Sequence, residues 1–131
     1  EDTEQTKQND VNWTIEHQFK QGKWKSSFEL YHKLTQYLGA NNIVFTEKPT
    51  KFYIGLLHNE KNYAQIHGQR SGLKVWINIG FDELSEQEKL KSRDVSNIGH
   101  WGMGETEYIV KHEGDFDALV GIIKKAFDKT Q

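Results

Sequence analysis

The sequence predicts an α+β domain in two layers, with a mainly antiparallel five-stranded sheet and an N-terminal and a C-terminal helix packed on one of its faces. Apolar residues recur at helical spacing in two segments, residues 27–38 and 116–129. Between these segments, short runs alternate apolar and polar residues, which is typical of half-buried antiparallel strands. Because helices do not alternate with strands along the chain, a parallel βαβ sheet is not expected.

The N-terminal helix has recognisable start and stop signals. Ser26 and Glu29 have the spacing of a capping box, and Gly39 follows the last apolar turn. Near the C-terminus, Asp115 is a suitable N-cap for the second helix, which extends to about Lys129. These signals predict two amphipathic helices, one on each side of the strand region.

The strands alternate in polarity and are separated by turn-forming residues. They are predicted at residues 43–46, 51–57, 62–67, 73–79 and 106–111. Pro49 ends the first of them, because proline does not fit inside a central strand. In the second and fourth strands, one face is apolar, and the opposite face carries polar and aromatic residues: Lys51, Tyr53, Lys74, Trp76 and Asn78.

Length and composition limit the possible classes of protein. A chain of 131 residues with 35% hydrophobic residues suits one compact domain. Its net charge of -2 argues against a non-specific polyanion binder, although a local basic patch stays open. The absence of cysteine excludes disulfides, thiolate catalysis and cysteine zinc sites. With neither a signal-peptide pattern nor an apolar run of the roughly 20 residues that a membrane span needs, a cytoplasmic location is expected.

The first ten residues differ from the rest of the chain. Residues 1–10 contain no hydrophobic residue and are predicted to be a disordered linker, whereas residues 11–131 form the single predicted domain. Since the first residue is Glu1 rather than methionine, the chain is expected to be a fragment of a larger protein. Part of the function would then belong to its neighbours in that protein.

A glycine-rich stretch over residues 93–104 is the strongest local candidate for a site. It combines a charged pair, Arg93 and Asp94, with His100 and Trp101 and with glycines that allow close backbone approach. Asp94 could orient His100 while Arg93 offers a bidentate clamp for phosphate or carboxylate. In the structural interpretation, the same polar residues bond backbone groups and Trp101 caps the core.

Several familiar chemistries do not fit this stretch. A strand follows the glycines, whereas phosphate-binding loops lead into a helix. The six histidines are dispersed without metal-ligand spacing, and no Asp or Glu is followed by Lys at the second position, as many restriction nucleases require. A hydrolase that combines Ser96, His100 and Asp94 lacks the G-x-S-x-G turn.

Residues 93–104 read R-D-V-S-N-I-G-H-W-G-M-G. This run resembles the pattern R-D-V-S-x-x-G-H-W-G-x-G of an uncharacterised bacterial domain family, and the likeness extends over residues 26–129. Members are described as domains of unknown function or as predicted transport proteins. They commonly form the C-terminal part of proteins with ParB-like and HNH-nuclease-like modules of the restriction-defence type. The resemblance implies an accessory domain of a nucleic-acid defence protein, without catalytic activity of its own.

The polar face of the sheet is a second candidate site. Tyr53 and Trp76, with Lys51 and Lys74 beside them, would form an aromatic platform near positive charge, which suits base stacking and phosphate neutralisation. Tyr63 and His67 are further candidates for this platform. The predicted ligand-binding residues are therefore Arg93, Asp94, His100, Trp101, Trp76, Tyr53, Lys51 and Lys74.

The leading hypothesis is non-catalytic nucleic-acid recognition by this face and the 93–104 loop. The alternatives are a docking module for the catalytic domain of the parent protein and a small hydrolase that uses His100. No cofactor, metal or membrane partner is expected.

Overall fold

The computed structural model describes residues 12–98 and 103–131. The linker predicted at residues 1–10 lies outside these ranges. So do His100 and Trp101, two of the predicted ligand-binding residues. The fold below is built from the described residues alone.

The described chain contains three α-helices. They are α1 (Lys25–Ala40), α2 (Glu86–Lys91) and α3 (Phe116–Asp128). Shorter 3₁₀ turns lie at Glu16–Phe19, Phe81–Glu83 and Glu113–Asp115. Within the described ranges, none of these helices combines the length and the apolar character needed to cross a membrane. The two long helices confirm the amphipathic segments predicted near the two ends of the domain.

Six strands form one antiparallel sheet. They are β1 (Thr46–Pro49), β2 (Ile54–His58), β3 (Lys61–Gln69), β4 (Gly72–Ile77), β5 (Ser92–Asp94) and β6 (Thr106–Val110). Their order across the sheet is β1-β2-β3-β4-β6-β5, and every neighbouring pair is antiparallel. The α+β class and the antiparallel sheet are thus as predicted.

The prediction of five strands is wrong, because β5 is a sixth. Its three residues contain no apolar side chain, so no alternation of polarity marks it in the sequence. Pairing with β6 creates the strand, with Arg93 opposite Glu107. The first strand is also displaced: it spans Thr46–Pro49 and includes the proline. Proline is tolerated there because β1 is an edge strand, where one row of backbone groups needs no partner.

The core is a layer of buried side chains that come from the sheet and from the two long helices. Helices α1 and α3 contact each other, and both contact β3 and β4. Fully buried side chains fill this layer, among them Leu34, Leu38, Ile66, Val75 and Leu119. Burying such side chains is the main source of stability, about 1.5–3 kcal/mol for each large aliphatic residue.

The predicted start of α1 is wrong, whereas Asp115 occupies the predicted N-cap position of α3 without the expected hydrogen bond. Helix α1 begins before Ser26, at Lys25, and no side chain caps it. The carboxylate of Asp115 does not cap α3 either; it accepts hydrogen bonds from the amides of Lys111 and His112, at 2.8 and 3.3 Å. The carboxylate of Asp115 is thus bound by the preceding turn, outside its own helix, which local spacing does not reveal.

Candidate functional site

Three of the predicted ligand-binding residues converge on one carboxylate, that of Glu107 in β6. Strand register places Glu107 between Trp76 on β4 and Arg93 on β5. The indole Nε1 of Trp76 donates to Glu107 Oε2 at 3.2 Å. Lys74 Nζ lies 4.0 Å from Oε2, and Arg93 Nε lies 3.8 Å from Oε1. We call Glu107, Trp76, Lys74 and Arg93 the Glu107 cluster.

Glu107 is unusual because it is a carboxylate with only 7% exposure. A buried charge is costly unless cations and hydrogen-bond donors surround it, and the three neighbours meet that need. The carboxylate in turn restrains an indole and two cationic side chains at one spot on the sheet. Glu107 does not stand out in the sequence, because there it is one polar residue in an alternating strand. The sequence shows only that Glu107 precedes Tyr108 in a predicted strand. Its partners are determined by the register of the neighbouring strands.

The Arg93–Asp94 pair predicted from the sequence is divided between two environments. Successive side chains of a strand point to opposite faces, so the neighbour of Arg93 does not reach Glu107. Instead, Asp94 Oδ1 accepts hydrogen bonds from the hydroxyl and the amide of Ser96, at 2.7 and 3.0 Å. These two hydrogen bonds lower the pKa of Asp94. The structural interpretation of Asp94, in which it bonds a backbone group, agrees with this geometry.

Tyr53 and Lys51 lie next to β2 rather than in the cluster. The carbonyl of Tyr53 accepts from the amide and the hydroxyl of Thr50, both at 2.8 Å, and its ring is half-buried. The carbonyl of Lys51 accepts from Gln18 Nε2 at 3.2 Å, while its ammonium lies 5.6 Å from the Phe52 ring centroid. No hydrogen bond or ion pair within residues 12–98 and 103–131 joins either residue to Glu107.

His67 extends the Glu107 cluster toward β2. Its ring centroid lies 5.9 Å from that of Trp76, and its Nδ1 lies 2.9 Å from the carbonyl of Phe52. Lys74 is the strand partner of His67. An aromatic contact therefore continues from Trp76 to β3, but Tyr63 does not take part in it. Tyr63 is buried, and its hydroxyl donates to the carbonyl of Val44 at 3.0 Å.

The end of the glycine-rich stretch is anchored to the sheet by Gln65. This side chain is 1% exposed, and its Oε1 accepts from the amide of Gly104 at 2.8 Å. Its Nε2 donates to Asn62 and Asn78, so all three hydrogen bonds are made inside the protein. A Cβ on Gly104 would lie 2.2 Å from backbone atoms of Ile77, which explains the requirement for glycine here.

A groove of about 460 Å³ runs beside the Glu107 cluster. Its walls combine cationic, apolar and polar side chains: Gln69, Lys74, Leu90, Lys91, Ser92, Arg93, Glu107, Ile109 and Lys111. Leu90 is 85% exposed here, which is high for a leucine. In the described part of the chain, no group of three or more His, Asp or Glu side chains is arranged to hold a metal ion.

Comparison with known proteins gives a partial match. The chain is 36% identical over 76 residues to an uncharacterized protein of Haemophilus influenzae. Those residues are 58% of this chain but 24% of the relative, so the chain matches about a quarter of the relative's length. No family model and no solved structure matches the sequence. The predicted membership of the R-D-V-S family therefore stays a prediction.

Proposed function

We propose that this domain is a non-catalytic module that recognises single-stranded nucleic acid through the Glu107 cluster and the groove beside it. The observation that carries the proposal is the convergence of Trp76, Lys74 and Arg93 on one buried carboxylate. A stacking surface with cations at its rim is the arrangement that binds bases and phosphates without reading a particular sequence.

The cluster supports binding because its groups are already ordered. Glu107 contacts Arg93 through Nε, and the arginine side chain is 62% exposed, which leaves the terminal guanidinium nitrogens toward solvent. Trp76 uses its indole N–H for Glu107, so the half-exposed ring remains for stacking. Restrained side chains lose less conformational entropy on binding than free ones.

We further propose that α1 and α3 cover the same face of the sheet, which leaves the face of Lys74 and Trp76 for the ligand. In support, the two helices contact each other, and the residues that alternate with Lys74 and Trp76 on β4 are fully buried. The accessory role in a nucleic-acid defence protein follows from the family resemblance and belongs to the same proposal.

The test is a tryptophan-fluorescence titration with short single-stranded DNA and RNA at low and moderate salt. We expect binding that weakens as salt rises, because phosphate contacts release counterions. Arg93→Glu and Trp76→Ala should each weaken it at least tenfold, in line with about 1–3 kcal/mol per stacked base. Lys61→Glu is the matched control, since Lys61 is exposed at the other end of β3 and its change in charge is identical.

Glu107→Gln makes this test sharper. Glutamine keeps an oxygen that can accept from Trp76 but removes the negative charge beside Lys74 and Arg93. We expect several-fold tighter binding of single-stranded DNA by this variant. Equal effects of Arg93→Glu and Lys61→Glu, or no binding by the unmodified domain, would refute the proposal.

A docking module is the second candidate, and two exposed apolar side chains, one of them in the wall of the groove, favour it. Leu90 is 85% exposed and Ile98 is 45% exposed, an unusual cost unless a partner covers them. In this case the domain would bind no nucleic acid, and it would associate with the remainder of its parent protein. Leu90→Ser should then weaken that association while leaving the thermal stability of the domain unchanged.

A further inference from the structure

A second cavity, of about 620 Å³, lies at the start of α1, away from the Glu107 cluster. Four of its lining residues are cationic and none is acidic. The lining consists of Lys20, Lys23, Lys25, Arg70, Trp24, Ser26 and Ser71. We call it the basic cavity. A chain with a net charge of -2 has therefore collected four positive charges around one concave surface.

The cations of the basic cavity have no ion-pair partner in the described part of the chain. Ion pairs are made instead by lysines elsewhere, such as Lys33 with Glu113, Lys125 with Glu88 and Lys129 with Glu83. Like charges that face one cavity repel one another, so this arrangement reduces stability unless an anion is bound. The cations of the basic cavity, which lack ion-pair partners among the described residues, are therefore the first indication of an anion-binding site.

The backbone holds these cations together by a turn in an uncommon conformation. Lys20, Gln21 and Gly22 all have positive φ, at 53°, 57° and 88°. Side chains with a Cβ rarely adopt such angles, and they do so where the surrounding structure imposes them. The ammonium of Lys20 lies 5.7 Å from the centroid of the Trp24 ring.

Arg70 reaches the cavity because Ser27 fastens the β3–β4 turn to the start of α1. The buried hydroxyl of Ser27 lies 2.5 Å from the carbonyl of Gln69 and 3.0 Å from that of Arg70. The cavity is therefore assembled from two segments that are distant in sequence. In addition, α1 has no acidic residue in its first turn, so its N-terminal dipole is not neutralised from within the helix.

We propose that the basic cavity binds phosphate oxyanions, carried in succession on a nucleic-acid backbone or on a small polyphosphate. The cationic side chains would supply the charge and hydrogen-bond donors, and Arg70 offers the planar fork that suits phosphate. The hydroxyls of Ser26 and Ser71 add neutral donors at the rim.

The surface between this site and the Glu107 cluster favours the nucleic-acid backbone. A smaller cavity shares Ser26 and Ser71 with the basic cavity and adds Lys111, His112 and Glu113, whose carboxylate is paired with Lys33. Lys111 also lines the groove of the Glu107 cluster. The three concavities thus follow one another around the β3–β4 turn, and a strand bound at the cluster could continue into the basic cavity. This continuity depends on the proposed function, but phosphate binding in the basic cavity does not.

The experiment is a calorimetric titration of the domain with tripolyphosphate and, separately, with a single-stranded DNA 20-mer at low salt. We expect tripolyphosphate to bind, and Lys23→Glu and Arg70→Glu each to weaken that binding at least tenfold. Lys61→Glu should leave tripolyphosphate binding within twofold of the unmodified domain. Thermal melts accompany every variant, and Lys23→Gln is a milder substitution if a charge reversal prevents folding.

The outcomes separate this inference from the proposed function. Tripolyphosphate binding that is lost in Lys23→Glu and kept in Trp76→Ala supports the basic cavity even when no DNA binds. DNA binding weakened by both Lys23→Glu and Arg93→Glu identifies the nucleic-acid backbone as the source of the phosphates. Absence of tripolyphosphate binding, or equal losses in Lys23→Glu and Lys61→Glu, would overturn the inference.

Discussion

The two ends of the β3–β4 pair differ in the sign and the pairing of their charged side chains. At the end where the strands turn, the basic cavity gathers four cations without a carboxylate. At the other end, a cavity near Gly80 and Gly104 is lined by Asp82, Glu83 and Glu105, with Lys129 among them. There, Glu83 Oε1 lies 2.8 Å from Lys129 Nζ, and the nearby pair of Glu88 and Lys125 is 2.7 Å apart.

Charged side chains at the acidic end stabilise the fold, whereas those at the basic end are available to bind a ligand. At the acidic end, the hydrogen bond from Lys129 is the main cause of the lowered pKa of Glu83. This carboxylate is therefore already bound within the protein. Lys125 in α3 binds Glu88 in α2, and Lys129, which directly follows α3, binds Glu83 in the 3₁₀ turn before α2. At the basic end, the cations retain their capacity for an external anion.

The largest expected effect comes from Gly104, which belongs to the acidic end. Gly104→Ala would place a Cβ 2.2 Å from the carbonyl group of Ile77 and 2.6 Å from the amide of Asn78, so backbone must move. We expect a loss of about 2–3 kcal/mol in the free energy of unfolding, measured by urea denaturation.

Gly39→Ala is the matched control for this substitution. Gly39 lies in α1, and a Cβ there would meet nothing within 4 Å. Because alanine favours helix over glycine, we expect a gain of about 0.5–1 kcal/mol. If Gly104→Ala were as well tolerated as Gly39→Ala, the close backbone contact described for Gly104 would be contradicted.

A smaller effect contrasts a paired lysine with an unpaired one. Lys125→Met removes the partner of Glu88 and should lower the free energy of unfolding by about 0.5–1 kcal/mol. Lys23→Met removes one of four like charges, so thermal melts at low salt should show an unchanged or slightly raised midpoint. At high salt, any gain should disappear because the repulsion is screened. Equal losses in the two variants would contradict the distinction between the two ends.

The smallest effect concerns Asp94, a carboxylate outside both ends. Its pKa is lowered by hydrogen bonds from the Ser96 hydroxyl and amide, so it stabilises the fold above its ordinary pKa. That contribution is lost as the pH falls through the lowered pKa. Ser96→Ala should raise the pKa of Asp94 toward its ordinary value, as followed by NMR titration of the carboxyl carbon. An unchanged pKa would mean that Ser96 does not hold this carboxylate.

Local patterns in the sequence were enough to predict the α+β class and the antiparallel sheet. The C-terminal helix and the alternation of Leu73, Val75 and Ile77 are visible because helix and strand periodicity depend on residues that are close in sequence. Arg93 was predicted in the 93–104 stretch, and Lys74 and Trp76 on the polar face of the sheet; that these three residues meet around Glu107 was not predicted.

Only the tertiary structure could decide what those residues contact. Strand β5 exists because β6 pairs with it, and Glu107 acquires its partners from the register of β4, β5 and β6. The basic cavity joins the start of α1 to the β3–β4 turn through Ser27, a contact across more than forty residues. Such contacts have no local periodicity, because they depend on how distant segments pack, and that packing is set by the whole core.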